Sequence, residues 1–577
     1  MRLPRFPPLQ WLPTYDRGCF AGDLRAALTL GVVVVPQAMA YATLAGLPPI
    51  TGLYAAVVGL SVYSLLGTSS FAAPAPAAID ALLVAAAVGP LAGGDPQRYV
   101  VLAGTLALLS GLLQVGAGLL RLGRGLVSYV SGPVVTGFTM AAALTIVVVQ
   151  LPTLLGLPKR GTPGSLGAGL GVVAENINGT QVATTAVGLG CVAALVLLRR
   201  RLPAWLPAPL VVLVAATVVA ALVQGDRLRL VGDVPRGLPA PTLPSLAGSD
   251  LRALLPAAAA LALISYLESM SATSMFAQRT RSRLDANQEL LALGAANVAC
   301  GLFRGLNVAA GFSRGAIMFG AGARTPLACL LTAAAVAVIL LTLSPALAVV
   351  PTVALAAIIV VAVAGLVDIR AALEVARVRR TDLLALLAAF TATAAFGPVT
   401  GLAVGVGVSL MLFLRQSARP PFPELGRVSG TSRYRNLARH DDIHTDPAVL
   451  LLRLDAPLYF ANHQAVADRI LAVVTERPAL RYVVFDASAM TWIDYSGTEM
   501  LNRLEQALGE NGVQLHLAAT RGPPRDVLLR TRRGRWLAEH GRLHPDVPTA
   551  VAALDLAPDS PLTAAPDGSP APPTELL

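Results

Sequence analysis

A polytopic α-helical membrane protein, carrying a small α/β domain at its C-terminal end, is the fold class this sequence predicts. Three observations predict it. Of 577 residues, 55% are hydrophobic and only 13% charged, about half the charge of an ordinary globular chain. Apolar runs of about 20 residues, the length that crosses a bilayer, recur from Leu24 to Leu414. Beyond Leu414 the pattern changes to short β-type runs alternating with amphipathic helical ones. The net charge of +11 sits mostly in short loops and the C-terminal part, where membrane orientation and lipid headgroups explain it better than nucleic acid does.

Residues 1–21, with Trp11 and Tyr15, suit a cytoplasmic arm at the membrane interface. The first apolar run lacks a cleavage site and reads as a retained span. Apolar segments follow at 24–44, 50–66, 74–92, 99–120, 127–154, 182–198 and 204–224. A Pro-rich connection runs from Gln224 to Asp250. Further segments lie at 252–277, 287–303, 309–320, 326–346, 350–367, 382–397 and 399–415. With the N-terminus inside, Arg121 and Arg124, Arg199–Arg201, Arg279, Arg281 and Arg283, and Arg370, Arg377, Arg379 and Arg380 share the inner side, as the positive-inside rule requires. Lys159, Arg160, Arg227, Arg229 and Arg236 fall in longer outer connections. An odd number of spans per half turns the second half upside down. The membrane domain, residues 22–415, is therefore expected as two inverted repeats, 22–224 and 250–415.

Residues 416–448 read as a linker, and 449–555 as the α/β domain. Its strands are expected at 450–454, 482–486 and 514–518, and its helices at 462–476 and 497–509. Residues 556–577 are Pro/Ala-rich and expected to be disordered. Cys19, Cys191, Cys300 and Cys329 have no metal-ligand spacing and suit packing. No phosphate-binding loop, metal cluster or hydrolytic triad is present, so neither an enzyme nor a cofactor is expected.

The third segment of each half is interrupted. Asn307–Ala316 places small residues, a hydroxyl and an arginine where a lipid-facing helix carries leucine. Phe71–Ala78 sets Pro74 and Pro76 among alanines, and proline suits a helix start. Paired broken segments at matching places point to a transport site, each a half-helix aiming its first amides at an anion. Two ordinary kinked helices are the alternative. Arg314 supplies a positive field there, or pairs with Glu268 or Asp80. Ser313 donates a hydroxyl or caps the helix. Glu268, among Ser265, Ser269 and Ser271, is a carboxylate at a depth where charge costs about 2.5–3.5 kcal/mol, and a candidate for carrying a proton or cation. Asp80 is a second candidate, or a solvated residue near the interface. Pro36 to Ala42 reads as a break in the first span. There Gln37 can hydrogen-bond an oxyanion, while Tyr41 lines the cavity or packs in the core. In the C-terminal domain, Ser496 within Asp494-Tyr495-Ser496-Gly497 is a possible modification site or an ordinary helix start.

Asp23-Leu24, the Val35–Ala42 stretch, Gly137-Phe138-Thr139, Glu268 and Gly311-Phe312-Ser313-Arg314 together resemble the SulP family, the sulfate-permease group of anion transporters that includes prestin and pendrin. The C-terminal domain resembles the STAS domain found on these transporters and on anti-sigma-factor antagonists. The resemblance spans residues 10 to 555. It implies fourteen spans in two inverted repeats of seven, divided into core (spans 1–4 and 8–11) and gate. It implies a homodimer in the plasma (inner) membrane, with both termini cytoplasmic and elevator movement of the core. It places an anion between the half-helices of spans 3 and 10. Gln37 and Tyr41 line that site; Ala75, Pro76 and Ala77 form one helix end, and Phe312, Ser313 and Arg314 the other. Glu268 becomes the coupling carboxylate, for protons or sodium.

The expected activity is proton-coupled symport of sulfate, bicarbonate, chloride or a dicarboxylate. Sodium-coupled bicarbonate transport, a passive anion channel, a nucleobase permease of the same fold and a membrane-anchored STAS sensor are the alternatives. Three departures stand out. Ala73-Pro74-Ala75-Pro76, with Asp80, replaces a motif close to Ser-Val-Gly-Pro. Asn307 replaces a proline. Asp494-Tyr495-Ser496-Gly497 replaces Asp-Ser-Ser-Gly.

Overall fold

The structure, a computed structural model, describes residues 7–129, 131–158, 163–201, 207–222, 228–232, 235, 237–242, 247–557 and 560–562. Lys159, Arg160, Arg227 and Arg236 lie outside the described residues. The chain forms two compact units, 1–409 and 410–577.

In the membrane unit the apolar segments become helices Arg17–Leu44, Pro49–Leu66, Ala78–Ala92, Pro96–Leu119, Gly132–Leu154, Val182–Arg201 and Ala208–Leu222. After the connection come Gly248–Thr280, Ala286–Leu302, Phe312–Ala321, Leu327–Thr342, Thr352–Ala364, Arg380–Phe396 and Pro398–Ala418. Among the described residues, 7 helical stretches are long and apolar enough to cross a membrane outright. The third helix of each half is short, with 15 and 10 residues. At about 1.5 Å per residue they span roughly 22 and 15 Å, well under the ~30 Å hydrocarbon core. Two-residue strands precede them: β1 (Pro74–Ala75) and β2 (Ala309–Ala310).

Small residues let the two halves interlock. The Pro96–Leu119 and Ala286–Leu302 helices cross at Gly111 and Gly294, where a Cβ on Gly111 would stand 2.6 Å from the Gly294 carbonyl. The Gly137 motif serves the same end, because a Cβ there would lie 2.2 Å from the Leu386 carbonyl oxygen. Such contacts replace the hydrophobic effect that lipid removes. Cys191, Cys300 and Cys329 are buried and unbonded to one another. Cys329 Sγ donates to the Ala72 carbonyl at 3.1 Å.

The expected break at Pro36 is absent. Arg17–Leu44 is one helix with Pro36 inside it. The missing amide removes one helical hydrogen bond, but the helix stays continuous through it, packed against the Pro49–Leu66 and Leu327–Thr342 helices. The first helix also starts within the stretch read as an arm, with Asp16 capping it by accepting from the Cys19 amide at 2.6 Å.

The second unit is an α/β domain. Its strands are β3 (Glu424–Val428), β4 (Tyr434–Asn436), β5 (Ile443–His444), β6 (Val449–Arg453), β7 (Tyr482–Asp486), β8 (Gln514–Ala518) and β9 (Leu543–His544). The sheet order is β4-β3-β6-β7-β8-β9, with β5 also on β3. β6 through β9 pair in parallel, and β3 joins β6 antiparallel through Leu425↔Leu451. Helices His463–Glu476 and Tyr495–Glu510 cover one face through Val466, Ile470, Leu501 and Leu504.

Two boundaries differ from expectation. The stretch 416–448 is not a bare linker. The last membrane helix runs to Ala418, and β3 to β5 belong to the sheet. The stretch 556–577 is not wholly loose: Leu562 is buried, and its carbonyl accepts from Arg427 Nη1 at 2.8 Å. In both places polar residues mask a few apolar anchors, Leu425 and Leu562, that the sheet covers.

Candidate functional site

The two broken segments meet. β1 and β2 pair antiparallel, Pro74 opposite Ala310 and Ala75 opposite Ala309. Ladder pairing satisfies part of a backbone that lipid could not. From this short ladder the chain enters one half-helix at Ala77 and the other at Gly311, in each case without a capping side chain. The first-turn amides therefore keep the partial positive charge of an uncapped N-terminus. The helices Arg17–Leu44 and Gly248–Thr280 each pack against both half-helices. They bring Gln37 and Tyr41 from one side and Glu268 from the other.

Arg314 staples the ladder. Its Nε donates to the Ala73 carbonyl at 3.0 Å, Nη1 to Pro76 at 3.0 Å, and Nη2 to Ala75 at 3.0 Å and Ala309 at 2.6 Å. It is 4% exposed. The alternative reading, pairing with Glu268 or Asp80, does not hold: among the described residues Arg314 has no carboxylate within 4.0 Å. Its charge nevertheless acts on Tyr41, Glu268 and Asp80. Gly311 sits where Glu268 and Arg314 converge. A Cβ there would lie 3.4 Å from Glu268 Oε1 and 3.5 Å from Arg314 Nη2.

Several acceptors around the ladder are unsatisfied. Among the described residues, Glu268 Oε2, Gln37 Oε1 and Asp80 Oδ1 are buried without a hydrogen-bond partner. Asp80 is wholly buried, not solvated, and its Oδ2 accepts from Asn307 Nδ2 at 2.9 Å. Asn307 Oδ1 is a fourth orphaned acceptor. The two departures Asp80 and Asn307 are thus partners. Tyr41 is buried. Phe312 and Ser313 are exposed, and Gly311, not Ser313, occupies the helix N-cap. Ala75, Pro76 and Ala77 are buried at the opposite helix end.

Sequence reasoning missed the supports of this site. Asn297 imitates a neighbouring strand: its Oδ1 accepts from the Val308 amide at 2.7 Å and its Nδ2 donates to the Val308 carbonyl at 3.2 Å. Gln114 Oε1 accepts from Asn297 Nδ2 at 2.9 Å, and Gln114 Nε2 donates to Ser265 Oγ at 2.8 Å. Ser269 Oγ accepts from the Ala310 amide at 2.8 Å. Isolated amides in otherwise apolar helices were the available signal. Ser496 lies half-buried in the first turn of Tyr495–Glu510, where Asp494 provides the cap by accepting from the Gly497 amide at 2.8 Å.

Paired half-helices joined by a ladder, in a polytopic helical unit that precedes a parallel α/β domain, define a membrane transporter of the anion-handling kind. The chain belongs to the sulfate permease family, whose profile matches residues 20–389, and the STAS domain profile matches residues 440–550. It is 34% identical over 563 residues to a probable sulfate transporter of Mycobacterium tuberculosis strain H37Rv, covering 96% of this chain and 99% of that one. It is 35% identical over 546 residues to the chloroplastic sulfate transporter 4.1 of Arabidopsis thaliana, covering 92% and 79%.

Among solved structures, the murine anion transporter Slc26a9 in its inward-facing state superposes with a TM-score of 0.88, at 24% identity, over 95% of this chain and 93% of that one. That likeness speaks for the fold. The transmembrane domain of the cyanobacterial bicarbonate transporter BicA matches at 25% identity with a TM-score of 0.59, over 68% of this chain and 99% of that domain. The relatives are transporters, and this multi-pass membrane chain is a transporter rather than an enzyme.

Proposed function

We propose that the protein is a secondary active transporter of small oxyanions, sulfate foremost, that couples anion movement to protons. The carrying observation is Glu268. Its unpartnered Oε2 stands beside an uncapped helix start and the Arg314 staple. The anion binds between the two helix ends, met by first-turn amides and the field of Arg314, with Gln37, Tyr41, Ala75, Pro76, Ala77, Phe312 and Ser313 around it. An ionised carboxylate repels that anion, so a proton on Glu268 favours loading. Release to the other side frees both. Asp80 adds a second carboxylate to the same field. Relatives described as sulfate transporters support sulfate as the substrate.

The core carries the anion by elevator movement against the gate, in a homodimer within the plasma membrane, with both termini cytoplasmic. The arginine clusters support that orientation. A sodium-coupled reading has its own support, because the four orphaned groups are all acceptors, which suits a cation as well as a proton. Proteoliposome uptake of radiolabelled sulfate separates the readings. An inward proton gradient is expected to drive accumulation without sodium. Accumulation driven by a sodium gradient alone would replace protons with sodium, and equal flux with no gradient would make the protein a passive channel.

A further inference from the structure

Among the described residues, two other acidic residues in the membrane unit are buried and fully satisfied. Asp23 lies at the start of the Arg17–Leu44 helix, and Glu289 at the start of Ala286–Leu302. Glu289 Oε1 accepts from the Thr68 amide at 2.7 Å, Thr68 Oγ1 at 2.5 Å and the Ser69 amide at 3.1 Å. Its Oε2 accepts from the Tyr63 hydroxyl at 2.7 Å. Asp23 Oδ1 accepts from the Arg324 amide at 2.6 Å and the Thr325 amide at 3.0 Å. Its Oδ2 accepts from Thr325 Oγ1 at 2.5 Å and the Tyr15 hydroxyl at 3.2 Å. Among the described residues neither carboxylate has a cation within 4.0 Å.

The arrangement is reciprocal. Glu289, from the second repeat, holds the backbone that leads into β1 and the first half-helix. Asp23, from the first repeat, holds the backbone that leaves the second half-helix. The two held segments also touch, since Ser70 Oγ donates to the Arg324 carbonyl at 2.8 Å. Close approach is built in: a Cβ on Gly22, beside Asp23, would lie 2.6 Å from the Gly322 carbonyl oxygen. All these groups lie at or beside helix ends that the arginine pattern assigns to one membrane face.

We infer that Asp23 and Glu289 are positioning residues, a pair of cross-repeat clamps that set the spacing of the two half-helices and so the affinity of the anion site. Satisfaction separates them from Glu268 and Asp80. A coupling carboxylate keeps an oxygen free, whereas a clamp spends both on fixed donors. A clamp should therefore tolerate its amide isostere. In Glu289→Gln, Oε1 can keep its three donors, and Nε2 can donate to a Tyr63 hydroxyl that now accepts. In Asp23→Asn, Oδ1 can keep both amides, and Nδ2 can donate to the Thr325 hydroxyl. Apolar replacements orphan every donor.

The test uses the full chain and rests, in its transport arm, on the sulfate reading. Sulfate uptake into proteoliposomes should show half-saturation raised about tenfold or more, an affinity step of one decade, in Asp23→Ala and Glu289→Leu. Maximal rate per folded transporter should change far less. The amide variants should recover most of the wild-type half-saturation. Unchanged half-saturation in the apolar variants, or equal loss in the amide variants, overturns the inference. If the apolar variants fail to fold, Thr68→Val and Thr325→Val remove one donor from each clamp. A raised half-saturation in both then supports the clamps, and an unchanged value overturns them. Hydrogen exchange at residues 67–71 and 322–326 of the purified chain needs no substrate. Protection should survive in the amide variants and fall in Thr68→Val and Thr325→Val; unaltered protection in the valine variants refutes the clamp. A wild type that moves no sulfate sinks the transport reading, and the exchange measurement then decides the clamps alone.

Discussion

Replacing Arg314 by lysine asks whether the site needs a charge or a shape. A guanidinium offers five N–H donors in a planar fork, an ammonium three at a single point. Arg314 directs donors to four carbonyls, on Ala73, Ala75 and Pro76 from one segment and Ala309 from the other. No single ammonium position can serve all four, so at least one charge-assisted hydrogen bond is lost, worth about 1.5–3 kcal/mol. At 4% exposure water does not replace it. If ladder order is coupled to anion binding, half-saturation for sulfate should rise roughly 10- to 100-fold, because each 1.4 kcal/mol is a decade. Arg314→Ala should fall further, since the field goes as well. Sulfate uptake in proteoliposomes, normalised to folded protein, measures both. A lysine variant with wild-type half-saturation would mean that charge suffices and that the staple is incidental to binding.

Glu268→Gln should abolish the dependence of sulfate uptake on the proton gradient while the protein still folds; a retained dependence removes Glu268 from coupling. Asp80→Asn keeps one acceptor oxygen beside Asn307, and should lower proton-driven accumulation by about the tenfold expected of a change near 1.4 kcal/mol. Wild-type accumulation would leave Asp80 a packing residue. For the STAS domain, a fragment of residues 420–562 should fold and melt cooperatively. One starting at 449 should aggregate, because it loses β3, Leu425 and the Glu424–Arg477 pair, in which Arg477 Nη1 donates to Glu424 Oε1 at 2.7 Å. Equal solubility of the two fragments would contradict the observed boundary.

In the same domain His516 Nδ1 and His544 Nε2 lie 2.9 Å apart. Burial, reinforced by His544 and Arg542, pushes His516 down to about 4, and burial also lowers His544. A depressed histidine favours the folded state fully above its unfolded value near 6.5. That contribution is lost as pH falls from there to about 4. Thermal melts should show the STAS transition dropping across this window, and His516→Gln should flatten the slope; a melt insensitive to pH in the wild type refutes the assignment.

The parts of this molecule that showed in the sequence are those that break a pattern. Pro74-Ala75-Pro76 and Gly311-Phe312-Ser313-Arg314 interrupt apolar runs at matching places; Pro74–Ala75 forms one arm of the ladder, and Gly311–Arg314 opens the half-helix that follows the other arm, Ala309–Ala310. What stayed hidden depends on backbone partners, which have no residue code. Nothing in the sequence says that Arg314 turns to four carbonyls rather than to Glu268, or that Asn297 stands in for a strand beside Val308. Pro36 misled for a related reason. Its local cost is real, but neighbours on both sides of the Arg17–Leu44 helix outweigh it. β3 escaped notice because Glu424, Gly426 and Arg427 dilute its apolar alternation, and only its pairing with β6 reveals Leu425 as core.

In the proposed site the staple also changes how the anion must be recognised. An arginine that grips an oxyanion in bidentate fashion confers geometric selectivity. Arg314 has already committed its fork to the backbone, so the anion meets its field but not its fork. On that proposal, directional contacts are left to first-turn amides, from which any oxyanion can accept, and to Gln37 and the exposed Ser313. Selection then falls to the room between Ala75–Ala77 and Phe312 and to charge balance with Glu268 and Asp80. Size and protonation state, rather than the identity of the central atom, are what such a site can read.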